Sequence, residues 1–106
     1  MKDIEEFISN CAEKEKLFWT YHVNMRLETR NIGTDDVVHA LKHCNVIEEY
    51  PQDAPLPSCL VLGRDMHNRV IHVVVAIDQY EENLRIITSY RPTLEQWEKD
   101  LKTRRK

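Results

Sequence analysis

Apolar residues recur with two different periods along this chain, and the change of period near Cys44 divides it in two. Ile4, Phe7, Ile8 and Cys11, with Glu5, Glu6, Glu13 and Lys14 around them, follow the repeat of an amphipathic helix that ends near Lys16. Thr20 suits the cap of a second helix over about 21–30. Thr34, followed by Asp35 and Asp36, suits the cap of a third, which carries Val37, Val38, Ala40 and Leu41 and stops near His43. After Cys44 the period becomes two. Val46–Tyr50, Cys59–Gly63, Arg69–Ile77 and Leu84–Tyr90 read as strands, rich in β-branched and aromatic residues. A proline-rich loop, Pro51–Pro57, follows the first, and short polar connections at Arg64–Asn68 and Asp78–Asn83 make the later strands antiparallel neighbours. Thr93-Leu94-Glu95-Gln96 has the form of a capping box opening a C-terminal helix. Strands that follow one another without intervening helices predict an α+β fold: N-terminal helices packed on a curved four-stranded antiparallel sheet, with a C-terminal helix at its edge. Expected core residues include Phe7, Ile8, Val37, Leu41, Ile47, Leu60, Leu62, Ile71, Val73, Val75 and Ile87.

Composition narrows the class. A chain of 106 residues with 42% hydrophobic and 31% charged residues is expected to be one globular domain, 1–106, rather than a disordered or repetitive one. No apolar stretch approaches the 18 or so residues of a membrane span, and Met1–Glu6 lacks a signal peptide's apolar segment, so a cytoplasmic location away from membranes is expected. Cys11, Cys44 and Cys59, an odd number, make no disulfide framework. The net charge is −3, but four of the fifteen basic groups sit in Leu101–Lys106, which leaves a body of 11 basic against 18 acidic groups. Broad binding to nucleic acid by phosphate neutralisation is therefore disfavoured, and any RNA contact must come from a local patch.

Two groups of residues carry candidate chemistry. His22, Arg26 and Arg30 lie at i, i+4, i+8 and share one helix face, drifting about 40° per step. An imidazole beside two guanidiniums suits RNA cleavage, one group moving a proton and two holding charge on phosphorus. Taken alone, the same face reads more readily as solvated, with Arg26 and Arg30 paired to Glu28 or Asp35. His72 interrupts Val70–Ile77, the most hydrophobic strand; its odd positions form an apolar face while His72 shares the other with Val70, Val74 and Ala76. With an odd hairpin loop, His72 stands opposite Thr88 and Val70 opposite Tyr90. A histidine there is also readable as a core residue with a backbone or hydroxyl partner. His39 and His43 have the spacing of helical zinc ligands, but no glutamate follows His39 and no cysteine pair accompanies them, so no metal and no cofactor are expected. With two glycines the chain has no phosphate-cradling loop.

The run from His22 through Arg26, Arg30 and Ile32 to Thr34, then Leu60–Gly63, then Ile71-His72-Val73-Val74, then Thr88-Ser89-Tyr90-Arg91-Pro92, resembles a family of small bacterial and archaeal domains of unknown function. Its pattern is His-xxx-Arg-xxx-Arg, a Leu-His-Val-Val strand and a Thr-x-Tyr-x-Pro end. Asn31 stands where a glycine is usual, a substitution that asparagine tolerates because it visits the left-handed region. The resemblance covers about residues 20–92, leaving an extra N-terminal helix over 1–16 and a C-terminal helix and basic tail over 93–106. The family is grouped with RelE- and MqsR-like ribonuclease toxins, so the resemblance implies a RelE- or barnase-like fold. It implies the toxin of a type II toxin–antitoxin system, a metal-independent endoribonuclease acting by 2′-hydroxyl attack. A non-catalytic protein-binding domain on the same fold is the alternative. Carried over by position, His22 and His72 are the base and acid in either order, and Arg26 and Arg30 clamp the phosphate. Tyr90 stacks on a base or serves as the acid, and Thr88 orients His72 or a phosphate oxygen. The implied partners are RNA and a zinc-finger or helix-turn-helix antitoxin, with Phe18, Trp19 and Trp97 as candidate anchors; self-association is left open.

Overall fold

Three helices supply one side of the core. In the computed structural model, which describes residues 2–106, α1 (Lys2–Glu13) buries Ile8, Cys11 and Ala12 along its apolar stripe. It ends where Glu15 takes a positive φ of 56°. Helix α2 (Tyr21–Thr29) is capped by the Thr20 hydroxyl, which accepts from the Val23 N–H at 3.0 Å, and it buries Val23 and Leu27. It closes with Asn31 at φ 58° while the Ile32 N–H reaches back to the Leu27 carbonyl at 2.9 Å. Helix α3 (Thr34–Lys42) begins one residue earlier than its acids suggest. Gly33 is the cap residue, and the Asp36 carboxylate accepts from the Gly33 N–H at 3.0 Å, so Thr34 is already helical.

The sheet differs from the expected four-stranded antiparallel one. Its strands are β1 (Leu17–Phe18), β2 (Asn45–Tyr50), β3 (Ser58–Arg64), β4 (Val70–Asp78) and β5 (Asn83–Tyr90), in the spatial order β1-β5-β4-β3-β2. The last four run antiparallel to their neighbours, but β1 pairs parallel with β5, Leu17 beside Leu84 and Phe18 beside Arg85. The fold is α+β with three helices and a five-stranded mixed sheet, which overturns the RelE- or barnase-like expectation. Two residues are too few to carry a period, and the partner of β1 lies more than sixty residues away in sequence.

The second correction is the C-terminal helix. Residues 93–106 hold one turn, in which the Gln96 and Trp97 N–H groups both reach the Thr93 carbonyl. The chain then doubles back so that Trp97 bridges Arg104 and the Glu98 N–H meets the Thr103 carbonyl at 2.8 Å. Asp100 builds that reversal, its carboxylate accepting from the Lys102 N–H, the Thr103 N–H and the Thr103 hydroxyl, with Leu101 at φ 59°. A lone helix of this length is marginal in water. Laying Trp97 on the sheet, where it is only 1% exposed, is worth about 3–5 kcal/mol by what losing a buried tryptophan costs.

The sheet is therefore covered on both faces. Cys59, Val61, Ile71, Val73, Val75, Ile77, Leu84 and Ile86 join the buried residues of the helices in one cluster. Leu60 and Leu62, also buried, are offset by one position on β3, and Leu62 pairs with His72, so they belong to the opposite face. Ile87, an expected core residue, is 44% exposed, because the β4–β5 register shifts between Val74 and Val75 and leaves it in a bulge. Gly63 lies where α3 crosses β3. A Cβ there would stand 2.5 Å from the Ala40 carbonyl oxygen and 2.6 Å from the Ala40 Cβ. Gly63→Ala must push helix from sheet, and we expect urea denaturation to show a loss of about 1–3 kcal/mol.

Candidate functional site

Beyond Leu84 and Arg85, which pair with β1, β5 has no strand beside it on that side among the described residues, and α2 lies against it instead. Arg30 makes that junction. Its Nη1 donates to the Thr88 hydroxyl at 3.0 Å and to the Ser89 carbonyl at 2.7 Å, so a guanidinium takes up a backbone acceptor of β5. Between α2, the outer face of β4 and β5, and the β2–β3 loop lies a cavity of about 760 Å³, within the range of small-ligand sites. His22, Arg26 and Arg30 line it from α2, and Thr88 and Tyr90 line it from β5. Asp53, Ala54, Pro55 and Leu56 form the facing lip, and Val23, Ala76 and Ile87 add apolar surface.

Five of the six candidate residues thus meet on one cavity. Arg26 and His22 are exposed and make no side-chain hydrogen bond or ion pair among the described residues, so neither arginine pairs with Glu28 or Asp35. Arg30 is anchored and Arg26 is free to follow a ligand.

His72 is not on that cavity. Its register partner is Tyr90, and Val74 faces Thr88. The hairpin loop has an even count of residues, 79–82, and the bulge at Ile87 adds one more, which displaces the pairing by two from that of the odd loop. The His72 ring is fully buried, edge-on to Trp97 with 4.6 Å between ring centroids. Its Nε2 lies 2.7 Å from the Leu101 carbonyl oxygen, which can only accept, so Nε2 carries the proton. Nδ1 is then the acceptor for the Tyr90 hydroxyl at 3.3 Å. Burial lowers the His72 pKa below the usual histidine range, against the opposing pull of the Leu101 carbonyl. Burial also raises that of Tyr90, which keeps its phenol protonated. His72 and His22 are therefore not brought to a common surface; His72 acts on Tyr90 from behind.

The C-terminal segment locks this arrangement. Arg104 stands 4.6 Å over the Trp97 ring and grips Glu48 with two hydrogen bonds, at 2.6 and 3.1 Å. The Arg104 pairing, helped by the Tyr50 hydroxyl, lowers the Glu48 pKa. Arg104 and Arg105, which pairs with Glu98 and the Leu94 carbonyl, are thus engaged within the chain. Trp97 is buried, and Trp19 is partly buried against the core, whereas Phe18 is 58% exposed.

Sequence reasoning gives Asp65 and Asp53 no role. Asp65 is fully buried in the β3–β4 turn, where burial alone would raise its pKa. The N–H groups of Arg69 and His67 and the Arg91 guanidinium outweigh that and hold it at about 2. It ties the turn to the end of β5. Its only sequence signal is a short polar turn. Asp53 lies in the proline-rich loop, where the Ser58 hydroxyl donates to its carboxylate. All three cysteines are buried, and burial pushes Cys44 and Cys59 up to about 12, far from nucleophiles. His39 turns Nδ1 to the Arg64 carbonyl at 2.9 Å, and no group of three metal-ligating side chains forms among the described residues. No helix among them is long and apolar enough to cross a membrane.

These features define an α+β domain with a cationic cavity walled by one helix and floored by two strands. The family model for DUF4258, a domain of unknown function, matches residues 19–91, and the chain belongs to that family. All six candidate residues lie within the match, while α1 and the Trp97–Arg104 reversal lie outside it. No curated protein and no solved structure matches the chain.

A histidine whose folded pKa is lowered binds fewer protons than in the unfolded chain, so stability rises with pH through that window. We expect stability to be full above pH of about 6.5 and to fall as pH drops below it through the lower folded value. His72→Gln should flatten the profile below pH of about 6.5, read by denaturant midpoints at each pH.

Proposed function

We propose that the cavity is a metal-independent endoribonuclease site and that the protein is the toxin of a toxin–antitoxin pair. The observation that carries the reading is the convergence of His22, Arg26 and Arg30 with Thr88 and Tyr90 on one cavity. Cleavage by 2′-hydroxyl attack needs a base, an acid and cations for the charge that builds on phosphorus. His22 is the base, since an imidazole suits proton transfer near neutral pH. Tyr90, protonated and placed by His72, turns its one hydroxyl hydrogen from His72 Nδ1 to the leaving 5′-oxygen. Arg26 closes on the phosphate, and Arg30, fixed to Thr88, presents the remaining face of its fork. The link to RelE- and MqsR-like toxins rests on this shared chemistry and on the sequence pattern, not on the sheet.

A toxin of this kind needs a partner that silences it. The acidic body meets a basic antitoxin with complementary charge. The exposed Phe18, Tyr21 and Met25, beside and on the cavity's helix, offer that antitoxin an apolar foothold.

Purified protein incubated with labelled RNA in EDTA should leave 2′,3′-cyclic ends. Arg26→Ala and His22→Ala should each lose about 2–4 kcal/mol of transition-state stabilisation, roughly 30- to 1000-fold in rate. Cleavage that EDTA abolishes, or that Arg26→Ala leaves untouched, refutes the scheme. Induced expression should arrest growth; harmless overexpression would favour the partner-binding domain.

A further inference from the structure

We propose that Asp53 makes this cavity selective for guanine. The inference rests on the ribonuclease reading and names the base beside the bond to be cut. The cavity is chemically divided. His22, Arg26 and Arg30 stand on α2 and Arg85 on β5, and among the described residues Asp53 is the one acidic side chain that lines it. Asp53 belongs to the β2–β3 loop, and β3 lies two positions from β5 in the sheet. Two strand spacings are about 10 Å, a span suited to a nucleotide laid from phosphate to base edge. Between the two ends the lining is apolar, with Val23, Leu56, Ala76 and Ile87 fit to take the faces of a base.

The acid end is built. Ser58, itself buried, donates to the Asp53 carboxylate, and the Asp53 N–H donates to the Tyr50 carbonyl at 3.2 Å. A carboxylate offers about four lone-pair sites, so acceptors remain for a ligand after Ser58 is served. Of the four RNA bases, guanine alone presents two adjacent donors, N1–H and the 2-amino group, on its Watson–Crick edge. Adenine and cytosine each place a ring acceptor beside the amine, which a carboxylate repels. Uracil places carbonyls on both sides of its one N–H. A two-point contact of this type is worth about tenfold or more in discrimination.

Calorimetric titration of the full chain with 3′-GMP, 3′-AMP, 3′-CMP and 3′-UMP tests this. The wild type should bind 3′-GMP about tenfold or more tightly than the other three. Asp53→Asn and Asp53→Ser, each checked for an unchanged melting temperature, should erase that gap while retaining 3′-AMP binding. Equal binding of all four nucleotides, binding of none, or a guanine preference that survives both substitutions overturns the proposal. Mapping cut sites on a mixed-sequence RNA separates it from the reading beneath it. Cleavage without base preference sinks the guanine site and leaves the ribonuclease. Guanine binding that Asp53→Asn abolishes, in a protein that cuts nothing, upholds the site and sinks the ribonuclease.

Discussion

The burial of one imidazole organises the outer half of this molecule. His72 sits in the most apolar strand with no exposed surface, and an unpartnered ring nitrogen there would cost on the order of 1–3 kcal/mol. Both nitrogens are served, one by the Leu101 carbonyl and one by the Tyr90 hydroxyl. Three consequences follow from those two bonds. The C-terminal segment is drawn over the sheet, Trp97 gains a wall to pack against, and the Tyr90 phenol is held at the cavity by a partner outside it. The ion pair of Arg104 with Glu48 then fastens the segment to β2. Because Arg104 also covers the Trp97 ring, charge and packing reinforce each other at one point.

A second constraint explains why a cavity exists beside β5 at all. Strand β1 pairs with only Leu84 and Arg85 of β5, so the remaining edge must find another partner. Helix α2 fills that role, and Arg30 satisfies the Ser89 carbonyl that a longer strand would have bonded. A helix rests higher against a sheet edge than a strand does, which leaves room above Thr88 and Tyr90. The two arginines divide the work accordingly: Arg30 is part of the scaffold, and Arg26 is free for a ligand.

The candidate chemistry was partly legible along the chain. His22, Arg26 and Arg30 share a face through helical spacing alone, a property local to nine residues. Thr88 and Tyr90 share a face through strand alternation in the same way. Their meeting on one cavity is a long-range fact, decided by where α2 docks. The place of His72 turns on a single bulged residue, since one residue in a strand exchanges its faces and no propensity marks Ile87 as that residue. Asp53 carries no signal because its orientation depends on Ser58, on the next strand, rather than on any motif.

The sequence by itself determined the elements with repeated periods: three helices, four long strands, the apolar odd positions of β4, and the left-handed Asn31 that ends α2. Each of these follows from contacts between residues a few positions apart, so its pattern is written locally. Only the tertiary structure decided the fifth strand, the mixed sheet and the fate of residues 93–106. The capping box at Thr93 makes no side-chain bond among the described residues, although a first turn forms there through the Thr93 carbonyl. It stops there because the outer face of the sheet, with Leu60, Leu62 and His72, must be covered, and Trp97 and Leu101 satisfy that demand better than a solvated helix can.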